Sequence, residues 1–493
     1  MPKSFDNDDY LARFPIEEYP EADWRDELKQ MDAQIAATHG AIDYSAASAF
    51  NNVAIYTPAL SQGWISTIER AINNPANFSF PKFGDFTLSP EDLQFTNPNS
   101  RLCFYPWVLY SAGQAAQTEN AAKKNNWMTT NPRDPRVVVI GDSGGFQIQE
   151  QTIKFEGDKT VRRMLHWLER VADYSMVMDF PTGKIALGNL LPHTERMIAT
   201  GTPIEDMARQ SNMDSGFITC LEQTVRNNDE YVRSRAPGAT QMLNVLQGRN
   251  EKESAAWFER VKSYPFEGWA FAGKHHSELA ISLRRLIQMR DEGLLMDCPW
   301  IHFLGVSTPK VGAALSYLQR SLREHTDAKN IQLTFDSKSP VDAVINGYRP
   351  MVGCDFDSSK WSIRFEKVDF KAASTDCRTL CEFAQDWKGD NPNRFVAQTA
   401  LGMRLKLSDL FSDPSGKQRL PDSFQQALLI HHNTQVYFES FRRMYGFLDE
   451  GQLHRRPESL QLMQMLIDGV FRTEKPMQAI NELELQLNAL VGE

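Results

Sequence analysis

A rhythm of short apolar runs, each ending abruptly in a polar residue or glycine, constrains this chain more than any other feature. The runs are VVVIGDSGG (137–145), YSMVMDFP (174–181), MLNVLQG (242–248), GWAFAG (268–273), IHFLGVS (301–307) and IQLTFDS (331–337). Strands that are apolar almost without interruption are buried on both faces, as in a parallel sheet. Amphipathic stretches separate most of them. Leu279, Leu283, Leu286 and Ile287 fall at i, i+4, i+7 and i+8, and Val311, Leu315, Leu318 and Leu322 at i, i+4, i+7 and i+11, which is helical spacing. Thr308-Pro309 and the Glu-rich EKESAAW supply helix openings. Strand–helix alternation over about 200 residues predicts an α/β fold. Earlier runs at Asn52–Tyr56 and Arg101–Val108 bring the strands to eight. That count predicts a (β/α)8 TIM-type barrel rather than an open sheet, and the absence of GxGxxG argues against a dinucleotide-binding sheet.

The rest of the chain divides around this core. Residues 1–50 are acidic and aromatic, with a short helical pattern at Trp24–Ala37, and read as an N-terminal extension. Residues 51–345 form the barrel, with a long insert near 182–240 that exceeds what one barrel helix and its loops need. Long loops at a catalytic face are often lids or substrate-binding elements. Residues 346–493 lose the rhythm and read as barrel completion plus a helical C-terminal subdomain. A β-rich stretch is expected at Trp361–Phe370 and helices near 421–446 and 456–490. No internal repeat or low-complexity tract interrupts this plan.

Composition narrows the function. Of 493 residues, 41% are hydrophobic and 24% charged, which is ordinary globular usage. No apolar run approaches the roughly 20 residues of a membrane span, and the N-terminus lacks a secretory pattern. The six cysteines are scattered, so a reduced, cytoplasmic protein without a membrane partner is expected. Lys and Arg number 53 against 63 Asp and Glu. That excludes a general basic coat but leaves room for a local basic groove.

In a parallel barrel the C-terminal ends of the strands line the active site. Those ends carry Asp142, Asp179, Gln247, Gly273, Gly305 and Asp336. Paired carboxylates suit covalent or acid–base chemistry at an electrophilic carbon, as in glycosyl transfer. A strand-end Asp can equally cap a helix or hold a metal. The sharpest segment is Asp142-Ser143-Gly144-Gly145-Phe146-Gln147. Two glycines after a buried strand let backbone approach a planar ligand, and Phe146 offers a stacking face. A tight strand-to-helix turn with Asp142 as cap and Phe146 as core explains the same residues.

DSGGFQ at a strand end resembles the signature of the tRNA-guanine transglycosylase superfamily. MVMDFPT, NVLQG, FEGWAFAG, HFLGVSTP and LTFDSKSP resemble further segments of that family in its order, over roughly residues 130–345, with a weaker echo at HHNTQVYF (431–438). The resemblance implies that Asp336 attacks C1′ of a nucleotide and that Asp142 is the general acid/base. It implies that Asp179 reads the donor edge of a guanine-like base, with Gln247, Gly248 and Gly273 at the carbonyl edge. Ser143, Gly144 and Gly145 then form the cradle, with Phe146 stacking on the base and Leu304 at the position of the second stacking residue.

The departures are informative. The family's structural zinc pattern is reduced here to Cys377 and Cys381, with Cys354 and His431 as conceivable further ligands; the plainer reading is two buried cysteines on one helical face. No cofactor is expected for catalysis. His275, His276 and Lys338 could touch a nucleic-acid backbone or be ordinary loop residues. Loss of the zinc pattern with retention of both catalytic Asp resembles the DpdA-type branch, found in phages and bacteria, which replaces guanine in DNA by a 7-deazaguanine such as preQ0. DNA is the expected partner, tRNA the alternative, with a homodimer or a helper protein open, and the compartment is then a cytoplasm, including that of a phage-infected host. A non-catalytic nucleic-acid-binding paralogue and a barrel glycoside hydrolase are the competing classes.

Overall fold

The computed structural model describes residues 42–44, 52–84, 86–130, 133–187, 202–356, 361–387, 394–413, 415–448 and 458–492. The expected extension over 1–50 therefore lies outside the described residues except for 42–44, as does 188–201 of the insert.

Eight parallel strands form one sheet. They are β1 (Ile55–Pro58), β2 (Trp107–Ser111), β3 (Val138–Asp142), β4 (Tyr174–Met176), β5 (Gln241–Leu246), β6 (Gly268–Phe271), β7 (Trp300–Phe303) and β8 (Gln332–Ser337). Their order is β1-β8-β7-β6-β5-β4-β3-β2. A parallel bridge between Ala59 and Leu109, with the Leu60 N–H donating to the Leu109 carbonyl at 2.9 Å, draws the two edge strands together. The sheet is thus nearly closed and barrel-like. Tyr174 and Trp300 stack with ring centroids 3.9 Å apart, although β4 and β7 are not sheet neighbours. The two rings meet across the inside, and the two-residue period of a strand puts His302 on that inner face as well.

Helices follow most strands: α1 (Gln62–Asn73), α2 (Asp158–Val171), α3 (Ser215–Ser234), α4 (Glu251–Val261), α5 (Leu279–Asp291), α6 (Pro309–His325) and α7 (Ser339–Ile345). The expected apolar faces are buried: Leu279, Leu283, Leu286 and Ile287 in α5, and Val311, Leu315, Leu318 and Leu322 in α6. Thr308 caps α6, with Pro309 in its first turn. The long α8 (Ser423–Phe447) packs against α1, α6 and α7, and its Tyr445 hydroxyl donates to the Ala54 carbonyl at 2.7 Å. No helix among the described residues is long and apolar enough to cross a membrane.

Several boundaries differ from the sequence expectation. The first two strands are Ile55–Pro58 and Trp107–Ser111 rather than Asn52–Tyr56 and Arg101–Val108. The 182–240 insert contains α3, the ordinary helix between β4 and β5. Its buried residues mix Phe217, Ile218, Leu221 and Tyr231 with Gln223, Thr224, Asn227, Asn228 and Glu230, which blurs the hydrophobic periodicity. The stretch 361–370 holds one short strand, β10 (Ser362–Phe365), and Asp369 then caps the helix Phe370–Ala373. β10 joins β9 (Met351–Asp355) and β11 (Arg394–Val396) in a three-stranded antiparallel sheet. The last expected helix breaks into α9 (Glu458–Arg472), Pro476–Glu482 and Glu484–Ala489. Pro476 starts the second piece, where its missing N–H costs nothing.

Candidate active site

Asp142 is the last residue of β3, in register with Ser111 at the end of β2. Burial raises its pKa, and the charge of Asp336 raises it further. The Ser111 hydroxyl, the Gly144 N–H and His302 oppose that shift. Asp336 lies in β8, with its side chain 13% exposed. Its Oδ1 accepts from the Gly305 N–H at 3.0 Å and faces His302 Nε2 at 3.2 Å. Among the described residues nothing bonds its other oxygen.

Asp179 is not at a strand end. β4 stops at Met176, and the chain leaves the ladder before reaching the carboxylate. Side chains of α3 take over the backbone partners there. Asn227 Nδ2 donates to the Met178 carbonyl at 2.9 Å, and the Phe180 N–H donates to Thr224 Oγ1 at 3.1 Å. The polar face of α3 thus replaces the missing ladder bonds and fixes Asp179 from both sides. Asp179 is buried, and burial lifts its pKa from the ordinary 3.8 to about 7. The Gln247 hydrogen bond opposes the rise and the Asp142 charge adds to it. Gln247 Nε2 donates to Asp179 Oδ2 at 2.7 Å, while the Thr182 hydroxyl reaches Gln247 Oε1 at 3.4 Å. These bonds orient the amide.

The glycines after β3 are required by close approach. A Cβ on Gly145 would lie 1.9 Å from the Asp179 carbonyl oxygen, and one on Gly144 would lie 2.5 Å from the Gly113 Cα. The DSGG segment therefore lies directly against the residue carrying the third carboxylate. Ser143 is fully buried, and among the described residues its hydroxyl has no hydrogen-bond partner. Phe146 is the second residue of the following short helix and is 48% exposed, so it presents a ring to solvent rather than joining the core. Gly248 and Gly273 follow β5 and β6, and a Cβ on Gly273 would lie 2.6 Å from the Gly248 carbonyl oxygen. The Lys274 N–H donates to that same oxygen at 3.1 Å. Leu304 is half-buried just after β7, its N–H on the Phe271 carbonyl.

The structure therefore brings Asp142, Asp336, Asp179 and Gln247 to one end of the sheet, the C-terminal end. Of the three carboxylates, Asp142 feels the charge of Asp336, and Asp179 feels that of Asp142. Two have raised pKa values, which suits a proton donor and a group that changes charge near neutrality. His302, Thr182, Thr224 and Asn227 were not singled out from the sequence. For His302 the available signal was a polar residue inside an otherwise apolar run, IHFLG; Thr182, Thr224 and Asn227 lie outside the apolar runs.

The cysteines are not gathered. Cys377 is exposed and precedes the helix Leu380–Ala384, so it does not share a helical face with Cys381. The Cys381 thiol is buried and directed at the Ala397 carbonyl at 3.5 Å. Cys354 is buried in β9, and His431 in α8 faces Cys103 and the Leu93 carbonyl. Among the described residues the one group of three metal-type ligands is Glu324, His325 and Asp468; there Arg472 already pairs with Asp468 at 2.7 Å. His275 is buried, its Nε2 3.0 Å from Ser254 Oγ, which makes it an anchor of the loop after β6. Lys338 pairs with Asp342 at 3.2 Å.

Two cavities, of about 570 and 610 Å3, lie elsewhere. One is bounded by α1 and the start of α8, the other by the N-terminal ends of β5, β6 and β7. Neither touches the carboxylates. No family profile and no curated protein matches this chain.

Proposed function

We propose that this chain is a base-exchanging transglycosylase that replaces guanine in DNA by a 7-deazaguanine such as preQ0. The fold in this reading is a (β/α)8 TIM-type barrel with an N-terminal extension, an insert and a helical C-terminal subdomain. The observation that carries the reading is the placement of three carboxylates and one amide at one rim, with DSGG backbone packed against the segment bearing Asp179.

The roles follow from the local chemistry. Asp336 Oδ2 attacks C1′ of the target nucleotide, forming a glycosyl ester as the bond to guanine breaks. Asp142, whose burial favours the protonated form, gives its proton to the departing base. The incoming base returns a proton to Asp142 and attacks C1′, which frees Asp336. One difficult substitution becomes two easier ones, and both carboxyl groups end as they began. Asp179 accepts from the donor edge of the base. Gln247 spends one amide hydrogen on Asp179 and has a second for the base carbonyl, beside the backbone at Gly273. Phe146 covers the ring face. Ser143, Gly144, Gly145, Gly248 and Leu304 shape the slot. A guanine in duplex DNA must be flipped out, at a cost of a few kcal/mol. No metal is assigned a role.

The test is exchange of labelled guanine, then preQ0, into duplex DNA, single-stranded DNA and bulk tRNA in parallel. Incorporation into DNA supports the reading. Incorporation into tRNA alone moves the chain to the tRNA-modifying branch, and no incorporation into any of the three removes base exchange.

A further inference from the structure

A chain of buried hydrogen bonds reaches Asp336 from inside the barrel. Trp300 and His302 alternate along β7, Thr334 and Asp336 along β8, and His302 is the register partner of Thr334. All four side chains share one face of the sheet, the inner face marked by the Tyr174–Trp300 stack. Trp300 Nε1 donates to Thr334 Oγ1 at 2.9 Å. Thr334 Oγ1 lies 2.8 Å from His302 Nδ1, and His302 Nε2 lies 3.2 Å from Asp336 Oδ1. His302 and Thr334 are fully buried.

The donor inventory sets the direction of this chain. Indole N–H is a donor only, so Thr334 Oγ1 accepts from Trp300. The threonine proton remains available for His302 Nδ1. In the neutral ring the proton then sits on Nε2 and points at Asp336. The opposite tautomer would set a bare Nε2 against a carboxylate oxygen, two acceptors face to face at a fully buried imidazole, where an unmade bond is costly.

We infer that Trp300 and Thr334 fix the Nε2–H tautomer of His302, and that His302 is thereby a positioning residue that holds Asp336 by Oδ1 and leaves Oδ2 as the attacking oxygen. The Gly305 N–H on the same Oδ1 completes the clamp. When Oδ2 becomes the ester oxygen, Oδ1 becomes the ester carbonyl and keeps both donors, so no hydrogen bond has to rearrange during attack. The inference rests on Asp336 as nucleophile.

Two measurements test it separately. Ring-nitrogen NMR of the labelled, ligand-free protein reads the tautomer without any activity. The expected signature for His302 is a protonated Nε2 and an accepting Nδ1, disturbed in Thr334→Val and kept in Thr334→Ser. Base-exchange kinetics read the consequence. Thr334→Val should lower kcat about tenfold with KM for the base unchanged. His302→Phe should lower it about 100-fold, the scale of a misplaced reacting group, and His302→Gln, which keeps a donor near the Nε2 position, should recover most of the loss. A wild-type Nδ1–H tautomer overturns the inference. So does a Thr334→Val protein with unchanged kcat. Full exchange by Asp336→Ala would instead sink the nucleophile reading, while the nitrogen shifts would still report the tautomer.

Discussion

Gln247 donates a side-chain N–H to Asp179 Oδ2 at 2.7 Å, tying the end of β5 to the segment that follows β4. The bond joins a fully polar amide to a carboxyl group whose pKa stands near 7. It leaves Asp179 with one oxygen unused by Gln247, and Gln247 with one hydrogen unused by Asp179. A planar base with adjacent donor and acceptor groups fits that pair of open valences.

Binding of such a base should depend on pH through Asp179. Only the ionised carboxylate accepts from two N–H donors, and in the free protein about half of it is ionised near pH 7. Below that pH, binding must release a proton, so affinity for guanine should fall by nearly tenfold per unit. Above it, affinity should level off. Calorimetric titrations at pH 5.5, 7 and 8.5 read this directly, and a flat affinity would remove Asp179 from the base-reading role.

The same residue should make the fold less stable in alkali. Its folded pKa is raised above the ordinary 3.8, so its contribution is fully present below about pH 4 and is lost as pH rises through about 7. Three units at 1.36 kcal/mol each set an upper bound on the order of 4 kcal/mol. Asp179→Asn removes the ionisation. Its melting temperature should exceed that of the wild type at pH 8 and converge with it near pH 4, while base binding is lost. A variant that melts lower than wild type at pH 8 would contradict the burial account.

Gly145→Ala should fail at the site before it fails elsewhere. Its Cβ would sit 1.9 Å from the Asp179 carbonyl oxygen, so either the DSGG turn or the segment 178–180 must shift. The segment is held by Thr224 and Asn227, which makes the shift costly, with a loss of about 1–3 kcal/mol. Denaturant unfolding and base affinity should both worsen. Gly63→Ala, where a Cβ meets nothing within 4 Å, is the control.

The strands and their polar ends were legible because burial on both faces leaves little choice of side chain: VVVIGD and LTFD could hardly be surface loops. Asp142 and Asp336 fell where strand ends were read. Asp179 did not, because Thr224 and Asn227 of α3 supply hydrogen bonds that a ladder would otherwise make. His302 was passed over for a related reason. A histidine in an apolar strand is defined by partners on the next strand, Thr334 and Asp336, and register is invisible in a single run of residues. Cys377 and Cys381 look like a helical pair at i, i+4 until Thr379 caps the helix between them.

Asp142 and Asp336 should separate in their kinetics although the charge of Asp336 bears on Asp142. Asp336→Ala removes the attacking oxygen, so no covalent adduct with DNA should form and exchange should fall by at least 10^4-fold. Asp142→Asn keeps the shape, and the amide oxygen can still accept from the Gly144 N–H. What it lacks is the proton for the departing base and the basic oxygen for the incoming one. Losing one general acid/base is worth about 10^2–10^4-fold, smaller than losing the nucleophile. Substrates with a better leaving group than guanine need less proton donation, so with them Asp142→Asn should form the adduct at a rate closer to wild type and then stall, because base return still needs the carboxylate. Trapping on denaturing gels, with the two variants run on both kinds of substrate, distinguishes the roles. Adduct formation by Asp336→Ala, or an Asp142→Asn protein that turns over at the wild-type rate, would reverse the assignment of the two carboxylates or end it.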